Sequence, residues 1–430
     1  MTIVFLFTAF LVLLFLGFPV AFSLGIPTVF YFFLQGGFIP IEFMPHSMTN
    51  PLFNYVLVAL PAFLLSGRMM NSTGVTDRLF DAAIALVGRF RGGLAHANIV
   101  ASMMFASMSG TAVGDAGGLG QVEMQMMTKA GYRRDFSAGI TASSSILGPI
   151  IPPSVSMVIL GATAEISIGR LFLGGVVPGL VMALALMINI ALRAHFTKEG
   201  RTWPVEKVPL KKGIRSCMRA ILPMLCPVII IGSIMMGVVT PTEAAVLAID
   251  YALILGIIYR EVSFKSLWKT LEETVVSTGV FMYIIAIAGF FTWVVTREGL
   301  PIAIKGLLAP LMSFSPTIGL LAIAVFLLIV GCFLDTTAAI LLVAPVIMPI
   351  IRSLGIDVVH FGIIMIVALL IGIITPPFGI CLFVMSEVAD LPVKPVTKEA
   401  IRYVPAMVIV LLLVIFFPQI VLWIPNKIFG

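Results

Sequence analysis

Apolar runs long enough to cross a lipid bilayer recur along this chain and limit the folds open to it. Ile221–Val239, Glu243–Tyr259 and Tyr403–Trp423 are examples, each close to the ~20 residues that a transmembrane helix needs. Inside a bilayer every backbone N–H and C=O group needs an internal partner, so such runs form helices. Only 11% of the residues are charged, whereas a soluble domain carries about a quarter. The sequence therefore predicts an all-α polytopic membrane protein.

The chain divides into two halves that repeat one plan. With an offset of 224 residues, Gly148 falls on Gly372, and Pro152-Pro153 falls on Pro376-Pro377. Each half is expected to contain three spans, an amphipathic stretch, a segment broken by small or polar residues, a proline-broken segment and a last span. Interrupted segments at matching positions of two halves point to the binding site of a transporter.

The segment boundaries follow from hydropathy and from breaker residues. The polar segment Arg193–Arg219 is the expected linker between the halves. The expected spans are 3–17, 19–34, 53–70 and 171–192 in the first half, and 221–239, 242–259, 271–296 and 402–423 in the second. The amphipathic stretches are Thr76–Phe90 and Gly299–Met312, the segments broken by small residues are 93–128 and 317–352, and the proline-broken segments are 136–168 and 358–389.

The distribution of basic residues predicts the topology. If 93–128 and 317–352 are re-entrant hairpins, each half crosses the membrane an odd number of times, and the two repeats are inverted. With both termini outside, the 26 Lys and Arg residues lie on the inside except for five, which are Arg170, Arg297, Lys305, Arg352 and Lys427. This asymmetry follows the positive-inside rule. The net charge of +6 therefore reflects membrane topology, and nucleic-acid binding is not expected.

The two proline breaks predict cation sites. Proline has no N–H, so Pro152 and Pro376 leave the carbonyls of Gly148 and Gly372 without helical partners. A free carbonyl in hydrocarbon is costly unless it lines a cavity or coordinates an ion. Such oxygen-rich sites suit a hard cation like Na⁺. A kink resolved by packing is the usual alternative for one proline, but two symmetry-related breaks favour cation sites.

The predicted hairpin tips carry the polar residues. Ser107–Asp115 is rich in small residues that permit a tight reversal, and its N–H and hydroxyl groups suit an anion. Small residues also mediate helix packing, which is the alternative. In the second tip, Asp335 is either a functional acid at membrane depth or the N-cap of the return arm. The hydroxyls of Ser143-Ser144-Ser145 either reach the same cavity or bond back to their own helix. The candidate substrate-binding residues are Ser109, Gly110, Thr111, Ser144, Ser145, Asp335, Thr336 and Thr337.

Other classes of protein find little support in the sequence. No P-loop, H-E-x-x-H or G-x-S-x-G motif is present, and neither the histidines nor the cysteines have the spacing of a transition-metal site. The chain is therefore not expected to be an enzyme. Three other classes of protein are kept as alternatives to the one that the motifs below indicate. They are a self-sufficient sodium/dicarboxylate symporter, an intramembrane enzyme that uses Asp115 and Asp335 as acids, and a passive channel.

An ordered set of short motifs resembles one family. The motifs are Gly17-Phe18-Pro19-Val20-Ala21, Ser109-Gly110-Thr111-Ala112 with Asp115 and Gly117-Gly118-Leu119-Gly120, Ile150-Ile151-Pro152-Pro153-Ser154, Thr240-Pro241-Thr242-Glu243-Ala244-Ala245, Leu334-Asp335-Thr336 and Thr375-Pro376-Pro377. Together they resemble the large (M, or DctM-like) subunit of tripartite ATP-independent periplasmic (TRAP) transporters over essentially the whole chain. The run from Asp115 to Gly120 resembles the sialic-acid members most.

This resemblance implies a mechanism and partners. It implies sodium-coupled import of an organic acid (sialic acid, a C4-dicarboxylate or a sugar acid) across the bacterial inner membrane by an elevator motion. It also implies a separate small four-helix membrane subunit (DctQ-like) and a periplasmic substrate-binding protein, with lipid around the chain. The scaffold would comprise 1–91, 170–316 and 391–430, and the moving transport domain 92–169 and 317–390. One sodium site would use Ser107, Ser109, Gly148, Ile151 and Ser154, and its symmetric partner Gly331, Gly372, Thr375 and Phe378.

Overall fold

The computed structural model describes residues 2–34, 42–206 and 208–429, without the side chains of Thr2, Ser107, Leu210, Ala309, Met312 and Ser313. The described residues form helices, and no strand occurs among them. The first half contains α1 (Thr2–Phe15), α2 (Val20–Leu34), α3 (Phe43–Thr49), α4 (Ala59–Ser72), α5 (Val75–Val87), α6 (Gly93–Ser109), α7 (Ala112–Gly117), α8 (Leu119–Lys129), α9 (Arg134–Ser144), α10 (Leu147–Ile150), α11 (Val155–Ala164) and α12 (Ile168–Phe196). The second half contains α13 (Leu210–Met235), α14 (Pro241–Tyr259), α15 (Phe264–Arg297), α16 (Leu300–Phe314), α17 (Pro316–Phe333), α18 (Thr336–Ser353), α19 (Val358–Gly372), α20 (Ile380–Ala389), α21 (Val393–Ala400), α22 (Val404–Phe416) and α23 (Gln419–Phe429). Short 3-10 helices at Asn50–Phe53, Tyr55–Val58 and Gly200–Thr202 complete the list.

The helices have the length and surface of a membrane protein. Within the described ranges, six helices are long and apolar enough to cross a bilayer, and the number rises to nine if each of three bent helix pairs is one span. Large apolar side chains such as Val228, Ile257 and Val275 stand exposed on the outer helices. A contiguous apolar exterior of this kind is compatible with lipid and not with water. The prediction of an all-helical, multi-pass membrane protein is confirmed.

The internal repeat is visible in the bounds of the elements. α6 ends at Ser109 and α17 at Phe333, while α9 begins at Arg134 and α19 at Val358. Both pairs differ by the same 224 residues that relate the two proline motifs in the sequence. The helix breaks predicted at both tips and at both proline pairs are confirmed. Within the first predicted hairpin, a further break at Gly118, between α7 and α8, was not predicted.

The interrupted segments lie at the centre of the molecule. α19 is buried along Val359–Gly372 and packs against α17. In the other half, α6 packs against α9 and α10, and α11 packs against α18 of the opposite half. The broken helices α9, α11 and α19 are therefore almost fully buried, whereas α17 of the second predicted hairpin keeps an exposed apolar face that includes Val325 and Ile329.

Three segments predicted from hydropathy differ in detail from the structure. Most of the expected linker Arg193–Arg219 is helical, since α12 continues to Phe196 and α13 begins at Leu210. Hydropathy marks where a helix leaves the bilayer, whereas the helix itself continues into the polar region. The span expected at 53–70 is instead part of a pair bent by 65° at Asn54, and Phe417-Pro418 divides the span expected at 402–423.

Candidate functional site

The first hairpin reverses at two residues that are suited to a tight turn. Gly110 follows α6 with a φ of +62°, in the left-handed region that a side chain disfavours. Thr111 then caps α7, because its Oγ1 accepts a hydrogen bond from the Gly114 N–H at 3.1 Å. The chain therefore turns back within two residues between α6 and α7.

This tip lies directly on the first proline break. The Val155 N–H donates to the Gly110 carbonyl at 3.2 Å, and a Cβ at Gly110 would lie 3.0 Å from the Pro153 carbonyl oxygen. Behind the contact, Ser154 Oγ donates to the Pro149 carbonyl at 2.6 Å. The break and the tip thus satisfy part of each other's backbone hydrogen bonding, as buried backbone requires.

Asp115 adds a buried carboxylate to the region where the first tip meets the first proline break. Its side chain is buried, and one carboxylate oxygen accepts a hydrogen bond from Ser109 Oγ. The other oxygen, Oδ2, is buried and has no hydrogen-bond partner. A Cβ at Gly148 would lie 2.7 Å from this Oδ2 and 3.1 Å from the Thr111 carbonyl oxygen. Gly148 therefore lets two oxygen atoms approach its backbone closely, one of them a carboxylate oxygen without a hydrogen-bond partner.

The second hairpin tip also packs on a proline break, but through different residues and hydrogen bonds. Asp335 is the N-cap of α18 and accepts from the Thr337 N–H at 2.9 Å, so the capping role considered for it is confirmed. At the second proline break, the backbone of Gly372 packs directly against the backbone of Gly331, since a Cβ at Gly372 would lie 2.5 Å from Gly331 Cα. The Cys332 carbonyl accepts from the N–H groups of Phe378 and Gly379, both at 3.3 Å.

The expectation that the Gly372 carbonyl is left without a hydrogen bond is wrong. The Thr375 N–H donates to it at 2.8 Å, because the chain tightens into a turn before Pro376 and the amide three residues on replaces the missing one. Thr375 Oγ1 donates to the Ile371 carbonyl at 2.7 Å. A carbonyl has two lone pairs, so the Gly372 oxygen keeps one acceptor position.

Both tips line a single cavity of about 980 Å³. Ser109 and Thr111 come from the first half, and Asp335, Thr336 and Thr337 come from the second. Another part of the wall belongs to α4, α5 and α15, which contribute the charged side chains Arg68, Asp77, Lys269 and Glu273. The amides of Asn71, Gln121 and Gln125 add further polar groups. The fold therefore joins polar side chains from both halves of the chain in one polar space.

Other predicted site residues lie elsewhere. Gly110, Gly148, Ile151, Ser154, Gly331, Gly372 and Thr375 belong to the tips and breaks described above and are not among the residues that line the cavity. The Phe378 ring packs against Phe15 and Phe333. Ser145 Oγ donates to the Ala142 carbonyl at 2.9 Å, so it bonds back to its own helix. The side chain of Ser107 lies outside the described part of the structure.

Ser144 instead belongs to a buried network that the sequence did not predict. Its Oγ donates to Asn98 Oδ1 at 2.7 Å, and Asn98 Nδ2 donates to Glu123 Oε2 at 2.6 Å. Ser102 and Thr141 also contact this network. Glu123 is completely buried. An acidic residue inside a segment at membrane depth is itself a signal for such a site, and that signal was available in the sequence.

The class of protein follows from these features. A multi-span helical protein whose interrupted segments from two halves meet at one polar cavity has the architecture of a membrane transporter. Solved structures are consistent with this: the fold is similar to that of the YdaH transporter of Alcanivorax borkumensis, with a TM-score of 0.61, 13% identity, and coverage of 92% of this chain and 89% of that one. At that identity the similarity concerns the fold alone.

Sequence comparison identifies the family. The model of the DctM component of tripartite ATP-independent periplasmic transporters matches residues 7–420. The sialic acid TRAP transporter large permease protein SiaM of Vibrio cholerae is 41% identical over 91% of this chain and 91% of its own length. The C4-dicarboxylate TRAP transporter large permease protein DctM of Pseudomonas aeruginosa is 39% identical over 91% of this chain and 93% of its own length. The chain belongs to the DctM family of TRAP transporter large permeases, which confirms the resemblance. These relatives are named as permeases, and the matching family is not a catalytic one.

Proposed function

We propose that this protein is the large membrane subunit of a sodium-coupled, binding-protein-dependent importer of an organic acid, with sialic acid as the first candidate. The cavity shared by both hairpin tips carries this proposal. It is large enough for a sugar acid, since small-molecule sites typically occupy about 300–1,000 Å³. The amides of Asn71, Gln121 and Gln125 suit the hydroxyl groups of such a substrate. The names of the relatives, one for sialic acid and one for C4-dicarboxylates, support the same class.

Sodium coupling is supported by the oxygen atoms at the first break. Asp115 Oδ2 is buried without a hydrogen-bond partner, and both it and the Thr111 carbonyl oxygen lie close to Gly148, whose lack of a side chain permits the approach. A hard cation prefers carboxylate and carbonyl oxygens, so this donor set fits Na⁺. Asp115 therefore joins the sodium ligands expected from the family. In the second half, the Gly331–Gly372 contact and Thr375 are the corresponding candidates.

The proposed motion is an elevator in which the two hairpins and broken helices move against the outer helices. The equal spacing of the elements in the two halves supports the repeat, and the distribution of basic residues supports its inversion. Both termini would then lie on the periplasmic side of the bacterial inner membrane. A small membrane subunit and a periplasmic binding protein are the partners expected of a tripartite transporter.

The test is uptake of labelled sialic acid and succinate by proteoliposomes. They would contain this chain and its small subunit, with or without a sodium gradient and the binding protein. We expect uptake of one acid that requires both the gradient and the binding protein. As a control, an equal potassium gradient should not support uptake.

Each other outcome contradicts a different part of the proposal. Uptake without the binding protein would indicate a self-sufficient symporter. Uptake that follows the substrate gradient alone would indicate a channel. Uptake of neither acid by the wild-type complex would refute the proposed substrate class.

A further inference from the structure

We propose that Arg68 binds the carboxylate of the substrate from the wall formed by α4 and α15, an inference that rests on the proposed import of an organic acid. Arg68 lies on α4 and lines the cavity. Neither α4 nor its neighbour α15 belongs to the two hairpins. None of the substrate-binding residues predicted from the sequence lies on this wall.

One nitrogen of the Arg68 guanidinium is held by the protein. Nη2 donates a hydrogen bond to Ser277 Oγ on α15 at 2.6 Å. This bond ties α4 to α15 and orients the planar guanidinium group. Because the orientation of the group is set before any ligand arrives, little side-chain entropy is lost on binding.

The other terminal nitrogen is buried and has no hydrogen-bond partner. The carboxylate of Glu273 lies 3.8 Å from Nη1 and forms a long ion pair with it, without a hydrogen bond, so a substrate carboxylate would compete with Glu273 for this nitrogen. Glu273 is half-exposed and also lies 3.8 Å from Lys269 Nζ. A buried N–H donor without an acceptor is unfavourable, and a carboxylate in the cavity would supply the acceptor.

The charged residues that line the cavity are of both signs: Arg68 and Lys269 are cations, and Asp77, Glu273 and Asp335 are anions. The tip residues that line it are hydroxyl-bearing or small, apart from the acidic Asp335. A substrate anion therefore finds no cation among the tip residues and needs a cationic partner from α4 or α15. Among the described residues that line the cavity, the cations are Arg68 and Lys269. The Lys269 side chain is 77% exposed, so its ammonium group is largely hydrated, and Arg68 is the better partner.

The position of α4 adds a consequence for transport. A Cβ at Gly67 would lie 2.5 Å from the Met108 carbonyl oxygen, so α4 and the first tip are in close backbone contact in this conformation. If the tips move past α4 during transport, Arg68 contacts the substrate on only one side of the cycle. Arg68 would then set the affinity on that side and control how readily the acid is released.

The test measures binding to the purified complex of this chain and its small subunit. The ligands are the labelled acid that the wild type imports and, by competition, its neutral amide analogue. Replacing Arg68→Gln should weaken binding of the acid by about 10- to 100-fold, the usual loss for a hydrogen bond to a charged group. The amide should bind the wild type and Arg68→Gln equally. Arg68→Lys should bind the acid with intermediate affinity.

Ser277→Ala is the matched structural control. It removes the bond that ties α4 to α15 but keeps the guanidinium, and we expect it to weaken binding of the acid by at most about threefold. Equal losses in Ser277→Ala and Arg68→Gln, or equal losses for acid and amide, would overturn the proposal in favour of a structural role. Wild-type affinity in Arg68→Gln would overturn it directly. Failure of the wild type to import any acid would instead refute the proposed function.

Discussion

At the scale of single residues, the site depends on where side chains are absent. Gly110 adopts a left-handed conformation, Gly148 lets the Asp115 carboxylate approach its backbone, and Gly372 contacts the backbone at Gly331. Each of these glycines meets a different physical requirement, namely conformation, close approach of a carboxylate, and helix packing. The sequence repeat places Gly148 and Gly372 at equivalent positions, yet only Gly148 faces a carboxylate.

The role proposed for Asp115 predicts the effect of its replacement. Asp115→Asn keeps the size of the side chain but replaces an anionic acceptor with a neutral amide. We expect the sodium concentration for half-maximal uptake to rise by about tenfold or more, because cation affinity depends on ligand charge. Proteoliposome uptake measured across a range of sodium concentrations checks this.

Asp77→Asn is the control for that experiment. Asp77 lines the same cavity from α5 but is exposed, so the sodium dependence should stay close to that of the wild type. Wild-type sodium dependence in Asp115→Asn would remove this carboxylate from the proposed sodium site.

At the scale of elements, the buried network around Glu123 joins three helices. Asn98 and Ser102 lie on α6, Glu123 lies on α8, and Thr141 and Ser144 lie on α9. The hydrogen bonds therefore connect both arms of the first hairpin to the broken helix beside it. A fully satisfied polar network in a low-dielectric interior is rigid, which suits a hairpin that moves as one body.

Replacing Glu123→Leu should destabilise the protein. The amide of Asn98 would lose its acceptor at a buried position, which costs about 1–3 kcal/mol, and the hydroxyls of the network would add to this. Glu123→Gln keeps an acceptor oxygen and should change the free energy of unfolding by less than about 1 kcal/mol. Titration of the detergent-solubilised protein with SDS measures the free energy of unfolding of both variants and of the wild type. Equal stability of Glu123→Leu and the wild type would contradict the structural role of the network.

At the scale of the whole molecule, a small apolar cluster separate from the main core indicates which elements pack together. It contains residues of α7, α8, α9, α20 and α21, which are Ala116, Met124, Ala138, Ala142, Leu382, Met385, Ala389, Val396 and Ala400. Glu399 of α21 is buried beside it and accepts hydrogen bonds from Arg193 and Arg402. α21 therefore packs against elements of the predicted transport domain, although the predicted boundary at 390/391 separates it from them.

This packing predicts that α9 and α21 move as one unit. Cysteine pairs that join Ala138 or Ala142 to Val396 or Ala400 should cross-link in a background without the four natural cysteines and should leave uptake nearly unchanged. Uptake before and after oxidation, compared with the same samples after reduction, is the measurement.

A second cysteine pair shows whether a cross-link between elements that move apart blocks transport. A link between cysteines at Phe15 of α1 and Phe333 of α17, whose rings lie 5.6 Å apart, joins elements that the elevator model moves apart, so it should abolish uptake reversibly. If instead the α9–α21 link abolishes uptake, the boundary after residue 390 is the correct one.

Much of the local structure could be predicted from the sequence. Apolar length determines the spans, proline removes a backbone donor at each break, and glycine permits the reversal at Gly110. These effects act within a few residues of their cause. The same local character explains the errors, since hydropathy does not report how far α12 and α13 extend beyond the bilayer.

The sequence by itself determined the all-helical membrane fold, the two-part repeat and the positions of both tips and both breaks, because these depend on neighbouring residues. Only the tertiary structure decided which polar groups meet. It placed Ser144 in the Glu123 network, left Asp115 Oδ2 without a hydrogen-bond partner, and oriented Arg68 through Ser277 on another helix. Contacts between residues so far apart in the chain depend on how whole helices pack, and one local pattern is compatible with many packings.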